Sequence, residues 1–572
     1  MSRNVPTFAV LAAGCLLLGC ASGPRPALPT YDELVERPYE LPASPERVSA
    51  IKSAFLSTPD FDQRVRALTL LENQAYAIGE ETLRLGSIGS AILDHYQASL
   101  VGHQALASFY RHVDSPEQAE VHDAWIEAIA AAIPAAGTDG SLEQPHPVLT
   151  INEAEAFLAG REATLLGAAY HQSENRPLLL WITALDSQGW PVEMFFDLND
   201  LYSTLAASLR RNPATVFPVG PPETCESMGL AGICEDFDPV ALIYILARGN
   251  DSAAQTFLGW RNFATREDFE DAIGWLHMAS RQGNRLANAM LGEVLWEKSL
   301  SDKDSSESHR TRAELQFQIA ASAGMDSAMS TLGRLYAGGL YGEDKIEAGL
   351  DLVARAASLD NVEALRYLGW LHTEGELLEE DYRLAEQYYQ RAAQKNDSAK
   401  FDYAVFLMRP DTSQGAKERG FQWLRETAND ENAIAMLLIG DLYAKGVHVG
   451  RSFRRAQSWF KSAVKAAPDD AYLVNEVAWR LAVTHLPKLR DERYALRIMK
   501  RIMERNAVAR RTPAYLDTWA AAYAANGDFE RAISVQKKAV ERALSEDDTD
   551  LPILLEHLEA FRAGKEISEE VP

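Results

Sequence analysis

Four histidines, His95, His103, His112 and His122, fall within 28 residues, and imidazoles gathered in this way are suited to zinc and similar metals. No pair has the i, i+4 spacing that sets two ligands on one helix face, and His-Glu-x-x-His is absent. They read as polar positions on a helical hairpin, with no metal ligand assigned. The sequence has no Gly-x-Ser-x-Gly elbow, no Gly-x-x-x-x-Gly-Lys phosphate loop and no Gly-x-Gly-x-x-Gly dinucleotide turn. The acid pairs Glu379-Glu380 and Asp469-Asp470 read as solvated loop residues. We therefore assign no catalytic residue, no cofactor and no enzymatic activity.

Cysteine and charge carry the remaining chemistry. Arg3 precedes an apolar run from Val5 to Leu18, closed by Leu17-Leu18-Gly19-Cys20. The run is too short to span a bilayer as a mature helix and reads as a signal-peptide core. A small residue before cysteine, with leucine three before it, resembles the bacterial lipobox. That resemblance implies cleavage before Cys20, acylation of its thiol by palmitate-type chains and, with Ala21 next, sorting to the outer membrane facing the periplasm. Ala12-Ala13-Gly14-Cys15 is a rival site with a shorter apolar core, and an ordinary secretory signal is a further alternative. Cys225 and Cys234 enclose eight residues in a Pro- and Gly-rich stretch. Export favours a disulfide between them, pinning an interdomain loop, over a metal pair or reactive thiols.

The formal net charge of −26 argues against nucleic acid as a partner. It is unevenly spread. Lys445 to Arg511 holds sixteen Lys and Arg against six Asp and Glu, a local +10, so the rest carries −36. Such polarity would steer an anionic partner toward this end: acidic polysaccharide, phosphorylated lipid head groups or an acidic protein face. Arg454, Arg455, Arg497 and Arg501 are the candidate contacts. The bland alternative is a solvated face, or one docked on the acidic remainder.

The elements that must position these groups repeat. Leu258-Gly259, Leu291-Gly292, Leu332-Gly333, Leu368-Gly369, Tyr403-Ala404 and Ile439-Gly440 recur with their second residues 33, 41, 36, 35 and 36 apart. Small pairs beginning at Ala279, Ala320, Ala356, Ala392, Thr427 and Ala463 close each unit. A period of this length predicts stacked helical hairpins, each unable to bury its apolar face alone. Asp268, Asp344, Asp381 and Ser452 are placed to cap second helices, and Gly338, Gly375 and Gly446 to end first ones.

Segments such as "AMSTLGRLYAGGLYGEDKIEAGLDLVARAAS" resemble Sel1-like repeats, relatives of the tetratricopeptide repeat, over about residues 251–467. "YLDTWAAAYAANGDFERAISVQKKAVERA" is similar to a standard tetratricopeptide repeat, and "NEVAWRLAVTHLPKLRDERYALRIMKRI" to a looser one. The resemblance implies a scaffold that holds partners on the first helices of its hairpins, where Tyr336, Trp370 and Tyr443 are candidate contacts.

At 572 residues the chain is long enough for several domains. We expect a mainly α protein: signal peptide 1–19, Pro-rich tether 20–45, helical tetratricopeptide-like segment 46–136, small α+β module 137–215 and disulfide-bearing linker with lead-in helix 216–250. The Sel1-like solenoid 251–467, tetratricopeptide-like repeats 468–545 and an acidic tail 546–572 follow. Within the module, Asn152 and Glu155 have capping-box spacing, and three apolar runs, Ala163–Tyr170, Leu178–Leu185 and Val192–Leu198, predict an antiparallel sheet. The functional expectation is a membrane-anchored adaptor for an envelope assembly serving exopolysaccharide export, a pilus or secretion. The rival is a ligand- or metal-binding, even enzymatic, amino-terminal module with the repeats as spacer.

Overall fold

A computed structural model describes residues 29–36, 42–78, 82–134, 138–173, 176–211, 239–265, 269–301, 305–409, 412–546 and 549–570. The expected signal peptide, Cys15, Cys20, Cys225, Cys234 and Asp268 lie outside the described residues. The chain divides into two units, Met1–Gln316 and Phe317–Pro572.

The first unit gains structure inside the expected tether. Thr30 caps a short helix, α1 (Tyr31–Val35), through a capping box with Glu33. Tyr31 is buried against Phe55, with ring centroids 5.3 Å apart. Its hydroxyl donates to the His95 carbonyl at 3.3 Å and accepts from the Gln97 N–H at 2.9 Å. A phenol that buries its ring and satisfies its oxygen outweighs the entropy of an extended chain, so residues 31–35 are an ordered helix within the span expected as a tether.

Helices α2 (Pro45–Leu56), α3 (Phe61–Ile78), α4 (Thr82–His95), α5 (Leu100–His112) and α6 (Pro116–Ala132) follow. From α3 onward each packs on the next, and α6 returns to α2. Ile51, Phe55, Leu68, Ile92, Trp125 and Ile129 fill their core.

Beyond them lies the α+β module: β1 (His146–Pro147), α7 (Ile151–Ala159), β2 (Thr164–Ser173), β3 (Arg176–Leu185) and β4 (Pro191–Asp197). The sheet order is β1-β4-β3-β2, an antiparallel meander with β1 parallel to β4 at its edge. The three apolar runs form the long strands. Asp186 shapes the β3–β4 turn, its Oδ1 accepting from Gln188 and Trp190 N–H at 2.9 and 2.8 Å. One cap differs from expectation. Thr150, not Asn152, opens α7, accepting from the Glu153 N–H at 3.0 Å while Glu153 accepts from the Leu149 N–H. Asn152 is instead buried, donating to Asn73 Oδ1 at 3.0 Å.

Helices α8 (Asn199–Arg211) and α9 (Pro239–Arg248) lead to two repeat hairpins, α10 (Ser252–Ala264) with α11 (Phe269–Arg281), and α12 (Arg285–Ser301) with α13 (Ser306–Ser322), in which the division between units falls. The sheet does not stand free. Strand β2 packs on α10 and α12, the first helices of these hairpins. Asn284 Nδ2 donates to the Ala168 carbonyl at 2.7 Å. Glycine at 167 permits the approach, since a Cβ there would lie 2.8 Å from the Leu286 nitrogen.

The second unit is helical hairpins throughout: α14 (Asp326–Ala337) with α15 (Ile346–Ser358), α16 (Val362–Glu374) with α17 (Tyr382–Lys395), and α18 (Ala399–Leu407) with α19 (Gln414–Asn429). Next come α20 (Ala433–Lys445) with α21 (Phe453–Ala466), α22 (Ala471–Val483) with α23 (Glu492–Arg505), α24 (Pro513–Ala525) with α25 (Phe529–Glu546), and a closing α26 (Leu551–Arg562). The Leu-Gly positions are where helices cross without room for a side chain. A Cβ on Gly333 would lie 2.7 Å from Val353 Cγ2 and 2.8 Å from the Gly349 carbonyl. Asp381 and Ser452 cap second helices as expected. Asp344 does not, because a 3-10 turn at Glu343–Lys345 intervenes before α15. Gly375 and Gly446 end their helices in the left-handed region, whereas Gly338 stays right of it and Gly339 makes the turn at φ +71°.

Candidate interaction surfaces

Of the four histidines the fold brings two together. His103 on α5 and His122 on α6 are buried, with Nδ1 atoms 2.9 Å apart, and His103 Nε2 lies 2.9 Å from the Gln97 carbonyl. Trp125 stacks on His103 at 5.1 Å and Tyr110 on His122 at 5.5 Å. Both ring nitrogens of His103 are thus spent on protein partners, and these two of the polar positions expected on a helical hairpin form a buried aromatic stack inside it. His95 and His112 lie away from it, at the last turns of α4 and α5. Among the described residues no three His, Cys, Asp or Glu side chains are grouped to hold a metal ion.

A buried acid cluster joins the helices to the sheet module, and no local spacing announces it. Glu72 on α3 is 1% exposed. Its two oxygens accept from Ser99 Oγ at 2.8 Å and Thr150 Oγ1 at 3.0 Å, the capping hydroxyls of α5 and α7. Burial pushes Glu72 up to about 7 against those hydrogen bonds, and nearby Glu153 adds to the rise. Glu155 is likewise raised to about 7 by burial, then by Asp251.

In the second unit the first helices share one side. Successive first helices touch one another, α14 with α16, α16 with α18, α20 with α22 and α22 with α24. They therefore line the inner side of the stack, and the second helices splay on the other. An ion ladder crosses the first helices. Arg334 reaches Glu363 at 3.7 Å, Glu363 meets Arg366 at 2.7 Å, and Arg366 pairs with Asp402. Beside it Trp370, 44% exposed, stacks on Tyr367 at 5.6 Å. Tyr336, in contrast, is 6% exposed and bound by Gln318 Nε2 at 2.9 Å. Deeper, Arg480 on α22 joins Asp441 on α20 at 2.8 Å and Glu476 at 2.7 Å.

The basic residues belong to the opposite side. Arg454 and Arg455 lie exposed on α21, Arg497 and Arg501 exposed on α23, both second helices. Arg455 lies over the Tyr443 ring at 5.4 Å, so two of the anticipated contacts meet, and Arg497 lies over Tyr494 at 5.1 Å. Arg501 approaches Asp469 only at 4.0 Å. The cationic face thus lies apart from Trp370 and the ion ladder, and meets the first-helix aromatics only where Arg455 covers Tyr443.

A groove of about 670 Å³ also opens on the second-helix side, between α17 and α19. Its floor is Tyr403, whose hydroxyl donates to Glu386 Oε1 at 3.1 Å and whose ring meets Trp423 at 5.1 Å. Gln390, Lys400 and Arg419 complete the rim. The short α18, nine residues long, belongs to the repeat in which Tyr403-Ala404 replaces Leu-Gly.

The Sel1 repeat family model matches residues 252–284, 362–397 and 433–467, the hairpins α10/α11, α16/α17 and α20/α21. The chain thus carries Sel1 repeats within a helical-hairpin solenoid, and such repeats suggest a protein-interaction scaffold. No curated protein matches the chain. Among solved structures, a Sel1 repeat protein from Oxalobacter formigenes is 20% identical, with a TM-score of 0.33, over 43% of this chain and 98% of its own. A protective antigen of uropathogenic Escherichia coli strains, displaying an SLR fold, is 13% identical with a TM-score of 0.41, over 92% of this chain and 98% of its own. Yeast Tom70 is 10% identical with a TM-score of 0.39, over 87% and 96%.

Proposed function

We propose that this chain is a lipoprotein scaffold of a bacterial envelope, anchored through acylated Cys20 and facing the periplasm from the outer membrane. Its work is to hold partners of an envelope assembly, for exopolysaccharide export, a pilus or secretion, without transforming them. The observation that carries the reading is the two-sided second unit. First helices offer a continuous polar ladder with an exposed Trp370, while α21 and α23 offer Arg454, Arg455, Arg497 and Arg501 to solvent. One side suits a protein segment and the other an anionic protein face or acidic polymer, whose binding would weaken with salt.

Two experiments test it. Metabolic labelling with a fatty-acid analogue, lost on Cys20→Ala, tests the anchor; label retained in that variant rejects it. In-cell crosslinking and affinity capture of the intact protein, beside Arg454→Glu/Arg497→Glu, tests the basic face. A dominant envelope partner lost in the double variant supports it. Unchanged recovery moves the contact to the first helices, and the absence of any partner rejects the scaffold.

A further inference from the structure

The segment after α26 is laid back onto the second unit. Gly564, at φ +67°, turns the chain, and residues 566–569 run along the loop joining α22 to α23. Glu569 N–H donates to the Val483 carbonyl at 2.8 Å, and the Glu569 carbonyl accepts from the His485 N–H at 2.9 Å, a parallel bridge beside Thr484. Side chains add selectivity. The Glu569 carboxylate accepts from Trp479 Nε1 at 3.1 Å, Glu566 pairs with Arg490 Nη1 at 2.8 Å, and Ile567 packs on the apolar core. Arg490 is held for this, since its Nε and Nη2 donate to the Ala482 carbonyl at 3.3 and 2.8 Å. Main-chain bonds to a peptide segment, with separate receptors for its side chains, are the means by which proteins read a peptide laid beside their own backbone.

We propose that Trp479, the 483–485 backbone and Arg490 form a recognition site for an extended acidic segment of pattern Glu-x-x-Glu on a partner protein. Residues 566–569 fill that site in cis. The tail itself specifies the occupant: two carboxylates three residues apart meet an indole N–H and a guanidinium, with an apolar residue after the first. The contacts are partly exposed, so each is weak. The tethered copy prevails through its local concentration, and a partner with more contact area displaces it. The site needs neither the lipid anchor nor the basic face of α21 and α23.

The test uses the full chain with Glu566→Lys/Glu569→Lys, which repels its tail from Arg490, and a fluorescent peptide of residues 565–570. Anisotropy is expected to show binding at least tenfold tighter to the variant than to the unaltered chain. Adding Arg490→Ala to the variant abolishes the gain, as does a peptide with both glutamates changed to lysine. Equal binding to both chains, or a gain that survives Arg490→Ala, overturns the proposal. A chain ended after Gly564 gives the same readout if the charge reversal misfolds. A dimer of the unaltered chain that dissociates on this truncation would mean exchange of the segment between copies, and overturns the cis assignment.

Discussion

His103 and His122 meet Nδ1 to Nδ1, and the carbonyl of Gln97 decides which of them holds the shared proton. A carbonyl only accepts, so His103 carries its hydrogen on Nε2, presents a lone pair at Nδ1, and accepts a hydrogen bond there from the His122 Nδ1–H. Burial, then His122, pushes His103 down to about 3, and burial lowers His122 as well. As pH falls below the unfolded value of 6.5, the unfolded chain takes up a proton that the folded His103 refuses. This pair therefore loses stability from about pH 6.5 down toward 3. Nitrogen-15 shifts of His103 should keep the Nε2–H tautomer without titrating between pH 8 and 5; a midpoint near 6.5 would sink the assignment.

Glu72 works in the opposite direction. Its folded carboxyl, raised by burial to about 7, keeps a proton that the unfolded one gives up near 4.5. The folded state then loses stability as pH rises from 4.5 to 7, by on the order of 3 kcal/mol at about 1.36 kcal/mol per unit. Glu72→Gln removes the charged form, so its melting temperature should exceed that of the unaltered chain at pH 8 and approach it at pH 5. An equal offset at both pH values would rule this out.

Gly349 and Gly415 separate space from flexibility within one unit. A Cβ at Gly349 would lie 2.7 Å from the Gly333 carbonyl, whereas at exposed Gly415 nothing lies within 4 Å. Gly349→Ala should cost about 1–3 kcal/mol through overpacking. Gly415→Ala should be neutral or add up to about 1 kcal/mol by reducing unfolded-state freedom. Urea unfolding followed by tryptophan fluorescence reads both. Similar losses at the two sites would deny that close helix crossing selects glycine at 349.

Arg480, 7% exposed, answers two acids at once. Burial raises Asp441, and Arg480 opposes that rise. Arg480→Ala should therefore cost about 3–5 kcal/mol by stranding a buried carboxylate. Arg480→Met/Asp441→Leu should recover most of the loss, because the buried pair becomes apolar and the remaining acid, Glu476, reaches solvent. A double variant as unstable as the single one would place the cost in packing.

The repeat register was legible because it rests on sterics that recur in phase. Gly333 and Gly440 sit where a neighbouring helix, or the Phe460 ring, occupies the space of a Cβ. The first-helix caps Asn361 and Asn432 lie outside the Leu-Gly frame, and Asp470, expected as a solvated loop residue, caps α22 by accepting from the Leu473 N–H. Tertiary pairs were invisible for a different reason. Glu72 meets Ser99 and Thr150 across 27 and 78 positions, and His103 meets His122 across 19, with no period to announce them. The basic residues were legible as a cluster, and the Ser452 cap already set Arg454 and Arg455 on a second helix, but charge counting in one dimension does not show that Arg455 covers the Tyr443 ring.

Trp370 and Tyr336 were candidates of equal standing in the sequence, and their surroundings now part them. Tyr336 is nearly sealed, holds Gln318 and packs edge to face with Tyr341. Trp370 keeps 44% of its surface in solvent and rests on Tyr367 alone among aromatic neighbours described. Tyr336→Ala should cost about 3 kcal/mol or more, as large aromatic truncations in cores do. Trp370→Ala should cost less than about 1 kcal/mol. If the first helices hold a protein partner, Trp370→Ala should nonetheless weaken its capture at least tenfold, because an aromatic beside an ion ladder has the makings of a binding hot spot. Equilibrium unfolding and partner titration on the same variant separate the two effects. Full capture with Trp370→Ala would remove it from the contact surface, and a large loss of stability would return it to the core.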